Sequence, residues 1–198
     1  MKARLFSAVA ALLCVSTLCL GQITTERGSA SDLINAKIQK IDLLIKLVPL
    51  ALKKDQYPDL LAGLEKAREL EREVLKKEDD DLAELDGPLT EALQNALEKG
   101  IYPGHDIQEK VTAKYNLASG RRMAAKLQMI KIVYAAIQNK LNAGQRKAMA
   151  GSFSSQYVSP GIKPEDVTDE VKINFFIKNV FLDPLAYDLL VEMSRHAS

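Results

Sequence analysis

Two cysteines, two histidines, no tryptophan and few aromatics in 198 residues leave little of the material from which reactive sites are built. Both cysteines, Cys14 and Cys19, fall in the first 21 residues. There Lys2 and Arg4 precede an uncharged apolar stretch from Leu5 to Leu20, and Gly21 puts a small residue before Gln22. That layout predicts a cleaved secretory signal over 1–21, because the apolar run is shorter than the ~20 residues of a membrane-spanning helix. An uncleaved anchor fits the length poorly. A lipoprotein fits poorly too, since leucines (Leu13, Leu18) stand before the cysteines. The expectation is a single exported domain over 22–198, with no cysteine left for a disulfide, a thiol nucleophile or a metal ligand.

Other absences narrow the chemistry further. The chain has no Gly-x-Ser-x-Gly, no phosphate-cradling glycine loop and no His-Glu-x-x-His. The acidic group Asp79, Asp81, Glu84 and Asp86 lacks the glycine within the carboxylates that a calcium loop requires. His105 and Glu109 stand near one face of a helix start, but a metal site needs more ligands than this pair, and His196 lies in the last three residues. The sequence therefore predicts no catalytic residue, no metal and no cofactor; it does not read as an enzyme.

What is present is helical periodicity. Ile34, Ile38, Ile41, Ile45, Val48 and Leu52 recur at alternating spacings of four and three, as do Met123, Leu127, Ile130, Tyr134, Ile137 and Leu141. Both sets read as core seams packed in one bundle. Pro49 predicts a break near Val48, and Leu60, Leu64, Ala67, Leu70 and Val74 form the inward face of a second, highly charged helix. The run Glu78–Asp81 is expected to loosen that helix, and Gly87-Pro88 to break the chain. Leu89–Lys99 is expected to be a short helix closed by Gly100, and Asp106 with Glu109 to form a capping box. Residues 151–164 read as a loop before a C-terminal helical pair that carries Ile173, Phe176, Ile177, Val180 and Phe181 inward, with Asp183-Pro184 starting the last helix. With no alternating strand pattern, the fold class is all-α: a small bundle or cradle of about five to six helices.

Between two of these helices lies Leu141-Asn142-Ala143-Gly144-Gln145. Asn142 at a cap and Gln145 three residues on have the spacing of a capping box, which predicts that one helix ends at Leu141 and another starts at Ala143. The same stretch, with Arg146 after it, resembles the Leu-Thr-x-x-Gln motif of Spy/CpxP-like periplasmic proteins, with Asn142 in the Thr position. Leu89-Thr90-Glu91-Ala92-Leu93-Gln94 does not supply a second copy, because its Gln comes one position late. The resemblance implies a small exported helical protein, a homodimer, acting as an ATP-independent chaperone or envelope-stress accessory, with Leu141, Asn142 and Gln145 as its motif residues.

Charge is distributed unevenly. From Asp55 to Glu109 there are 16 acidic and 6 basic residues; from Lys110 to Pro164 there are 10 basic residues and no carboxylate. Two consequences are open: the basic helix packs on the acidic one, or Arg121, Arg122 and Lys126 form a cationic surface for acidic clients or anionic lipid. Nucleic acid is an unfitting partner for an exported chain with few interleaved aromatics. Two functions follow as expectations. One is a non-enzymatic binding protein that holds unfolded protein clients or an envelope sensor protein. The other is a structural or adaptor protein that associates with an anionic membrane surface or a partner protein.

Overall fold

The computed structural model describes residues 30–154 and 163–197, and among these the chain is all-α, with seven α-helices and no strand. The signal segment 1–21 and most of the expected loop 151–164 lie outside the described residues. Contacts divide the chain into 1–37 and 38–198. Of the first unit, the described part is the opening turns of α1 (Ala30–Leu47), with Ile34 and Lys37; the other residues described below belong to the second.

After α1 the chain makes the break that Pro49 predicts. A 3-10 turn covers Val48–Leu50, Ala51 adopts a left-handed conformation (φ 45°), and a second short turn at Lys54–Gln56 leads into α2 (Tyr57–Ala83). Pro58 sits in the first turn of α2, where its missing donor costs nothing. The acidic run does not loosen α2, which continues through it to Ala83, because Glu78 is held by an arginine from a neighbouring helix. α3 (Asp86–Lys99) absorbs Gly87-Pro88 into its first turn and ends at left-handed Gly100 (φ 65°).

α4 (His105–Lys140) runs 36 residues, straight through Gly120. At ~1.5 Å per residue it is about 54 Å long. The expected Asp106 cap does not form: Gly104 is the cap residue, Asp106 lies in the first turn, and His105 approaches Glu109 at 3.7 Å with both side chains exposed. α5 (Ala143–Gly151), α6 (Asp169–Phe176), a π-helical turn at Ile177–Phe181 and α7 (Ala186–His196) complete the chain. Asp183 accepts the Leu185 backbone N–H at 2.9 Å, holding the turn that starts α7.

The core gathers Leu43, Leu47 and Leu50 with Leu60 and Leu64 of α2, Met129, Val133 and Ile137 of α4, Met149 of α5 and the C-terminal Ile173, Phe176, Ile177, Val180 and Phe181. α2 and α4 make the most extensive packing, and buried Gly63 lets them approach: a Cβ there would lie 3.0 Å from that of Ala136. Phe176 and Phe181 meet edge to face at 5.4 Å, and Arg68 stacks over the Tyr187 ring at 4.7 Å, tying α2 to α7.

Neither heptad seam is the core seam. Of the first seam, Ile34, Ile38, Ile41 and Ile45 of α1 and Val48 of the turn after it are exposed and only Leu52 is buried, while Leu43 and Leu47, from the opposite side of the helix, are buried. On α4 the expected seam is buried only at its end, through Ile137 and Leu141. Ile130 and Tyr134 are half-buried, and Met123 and Leu127 are 71% and 58% exposed. The face that packs is instead Ala125, Met129, Val133 and Ile137.

Candidate functional site

The motif at 141–145 forms as a capping box and does more than cap. Gln145 N–H donates to Asn142 Oδ1 at 3.0 Å, and the Asn142 N–H donates to Gln145 Oε1 at 2.9 Å. Leu141 closes α4 and is buried in the core, while Arg146 Nη1 returns to the Leu141 carbonyl. The Gln145 carboxamide then continues inward to Gln56. Its Nε2 donates to Gln56 Oε1 at 2.8 Å, and Gln56 Nε2 donates to Gln145 Oε1 at 3.0 Å.

Each amide also serves the chain end opposite it. Gln56 donates to the Lys140 carbonyl at 2.7 Å, Gln145 donates to the Ala51 carbonyl at 3.3 Å, and the Lys53 N–H donates to Gln56 Oε1 at 2.9 Å. Both glutamines are buried, and no buried side-chain polar atom among the described residues lacks a partner. Gln56 lies outside the motif residues expected from the sequence. Its signal was the spacing Leu52-x-x-x-Gln56, which repeats Leu141-x-x-x-Gln145 with Lys53 in place of Asn142.

The three cationic candidates have different fates. Arg122 Nε donates to both oxygens of Glu78, at 2.8 and 2.7 Å, and Nη2 joins them; Glu78 is only 3% exposed. Arg121 pairs with Asp81, which Lys114 also reaches at 3.3 Å, and Lys114 reaches Glu84 at 2.6 Å. Lys140 pairs with Asp59 at 2.8 Å. These partners run in opposite senses, 59 with 140, 78 with 122 and 84 with 114, so the acidic and basic stretches are the two sides of an antiparallel helix pair. The hydrogen bond from Arg121 holds the Asp81 carboxyl below the usual carboxylate range, and the bonds that Arg122 donates to Glu78 raise its guanidinium further.

Lys126 is the exception: it is exposed and, like Lys131, has no ion-pair partner among the described residues. It flanks Met123 and Leu127, which sit four residues apart on one exposed face of α4. The result is a short apolar stripe bordered by uncompensated positive charge.

Among the described residues there is no grouping of three or more His, Asp or Glu side chains fit to hold a metal. No helix there is long and apolar enough to cross a membrane. An open groove of about 660 Å³ between the end of α1 and α7 is lined by Val48, Leu52, Tyr57, Leu189, Met193 and His196, the last residue of α7. Compared with known protein families, curated proteins and solved structures, the chain has no match.

Proposed function

We propose that this is an exported, non-enzymatic helical binding protein of Spy/CpxP-like character, which holds unfolded protein clients on the α4 stripe. One observation carries the reading: Met123 and Leu127 stand exposed side by side, with Lys126 and Lys131 left uncompensated around them. An unfolded segment offers apolar side chains for the stripe, and carboxylates for the lysines, without needing a defined sequence. Methionine suits such a surface because its flexible thioether adapts to different shapes. The pairing of two Leu-x-x-x-Gln segments through Gln56 and Gln145 is consistent with a family whose motif occurs twice. Export rests on the first 21 residues of the sequence.

Suppression of aggregation of a chemically denatured client, followed by light scattering, tests the reading. Wild-type protein should suppress it near stoichiometric ratios, and Met123→Ser with Leu127→Ser should abolish this while leaving helical content unchanged. Equal suppression by the double variant rejects the stripe as the client site. The adaptor reading draws on the same two lysines. Under it, the protein binds anionic lipid vesicles in a salt-sensitive manner and leaves client aggregation unaffected.

A further inference from the structure

α1 carries two apolar faces, and the core uses only one. Leu43 and Leu47 face inward. Roughly half a turn away, Ile38, Ile41 and Ile45 stand exposed, Ile45 at 65%, and Val48, the first residue of the turn after α1, continues the stripe. The spacing of three, four and three is that of alternating a and d positions, so the stripe lies straight along the helix as a coiled-coil seam does. A lone exposed isoleucine needs no explanation; three isoleucines and a valine in this register form a continuous apolar surface.

The charges beside the seam indicate what covers it. With Ile38 and Ile45 at a, and Ile41 and Val48 at d, Lys37 falls at g and Asp42 at the following e. That separation of five residues brings a g side chain to the e side chain of a parallel neighbour. Both are exposed, and neither has an ion-pair partner among the described residues. An antiparallel neighbour would set e against e and g against g, which loses the Lys37–Asp42 match. We infer that the occupant is α1 of another copy of this chain, in parallel register, with Ile38, Ile41, Ile45 and Val48 as the seam and Lys37–Asp42 pairs between copies. Isoleucine at both a and d favours three or four strands over two in free coiled coils. The number of copies is therefore a result of the experiment, and the parallel α1 seam is the claim. The α1 seam is separate from the α4 stripe proposed for clients.

Sedimentation equilibrium of the full chain should show self-association that Ile45→Asp removes with helical content retained. Because Ile45→Asp alters a core-bearing helix, two exposed changes supply an independent arm. Asp42→Lys should weaken association about threefold to tenfold, and adding Lys37→Glu should restore it. Orientation is read by oxidation. In a chain carrying Cys14→Ser and Cys19→Ser, Ile38→Cys and Ile45→Cys should each link to themselves, whereas Lys46→Cys, off the seam, should not. A monomer at every concentration, no rescue by the charge swap, or Ile38→Cys linking only to a Val48→Cys chain would each overturn the parallel seam. Client suppression by the Asp42→Lys variant should equal that of the wild type. Its loss there, with the wild type monomeric, would assign the α1 face to clients instead.

Discussion

The carboxamides of Gln56 and Gln145, 89 positions apart, exchange a pair of hydrogen bonds, at 2.8 and 3.0 Å, in the interior of the protein. Each is the third residue after a cap, at Lys53 and Asn142, so one side chain both starts a helical turn and joins it to the other turn. The arrangement works because an amide presents a donor and an acceptor side by side, and two amides meeting in opposite orientation satisfy each other. The Leu-Asn-x-x-Gln motif is thus a structural joint between the start of α2 and the start of α5.

Replacing both members should cost less than the sum of the two single replacements. Gln145→Leu leaves Gln56 Nε2, the Ala51 carbonyl and the Asn142 N–H short of partners, at a cost of about 1–3 kcal/mol for a buried polar group left unmatched. Gln56→Leu should cost a similar amount. The double variant should fall short of the sum by about 1–2 kcal/mol, since each change has already removed the shared interaction. Urea denaturation of the four proteins reads this directly, and additive losses would mean that the amides act independently.

The Arg122–Glu78 pair makes a different prediction from the pairs around it. An arginine with an exposed carboxylate partner contributes little, but Glu78 is almost wholly buried. Arg122→Gln should therefore destabilise the protein by about 1–3 kcal/mol, less than the 3–5 kcal/mol of a fully enclosed pair because Arg122 itself reaches solvent. Adding Glu78→Gln should recover most of the loss, whereas Lys126→Gln should stay within about 0.5 kcal/mol of the wild type. Thermal unfolding of the three variants distinguishes them.

Acid should expose the Asp81 cluster. The carboxyl is held below its unfolded value by Arg121 and Lys114, so folding favours the ionised form. Its stabilising effect is present above the unfolded pKa and is lost as pH falls through the lower, folded pKa. Stability should therefore decline on acidification below about pH 4. Asp81→Asn should be less stable than the wild type at pH 7 and should lose less on acidification. A wild-type and variant difference that does not change between pH 7 and pH 3 would remove Asp81 from the account.

How much of this could be seen in the sequence differs from element to element. The break at Pro49, the end at Gly100, the Asn142–Gln145 box and the inward face of Ile173, Phe176, Ile177, Val180 and Phe181 depend on local chemistry, and all occur as expected. The seams do not, because periodicity reports that a face is apolar and is silent on what covers it. α1 has two such faces, and Leu43, Leu47 and Leu50 repeat at four and three as regularly as the isoleucines do. α4 is longer than the core it crosses: buried positions begin only at Ala125. Gln56 is hidden because lysine is an unusual residue at a cap, and its partner lies 89 positions away.

That difference on α4 sets the most direct test of where the core ends. A carboxylate introduced at Ile137 would be enclosed among Leu, Val and Met side chains, and an unpaired buried charge is among the few single changes that unfold a domain. The same substitution at Met123 meets water, as the residue is 71% exposed, and it has lysines and arginines nearby in sequence. Met123→Asp should therefore keep its helical circular dichroism and unfold within about 0.5 kcal/mol of the wild type, while Ile137→Asp should lose cooperative unfolding altogether. Leu127→Asp should follow Met123→Asp, since both lie on the exposed stripe. Ile130→Asp, half-buried, should fall between the two. A graded loss of stability from 123 to 137, read by urea denaturation, is the signature of a helix that enters the core part-way along its length. Collapse at Met123 equal to that at Ile137 would instead mean that the stripe is buried in solution, either in this chain or against another, and would remove it as an open surface for clients.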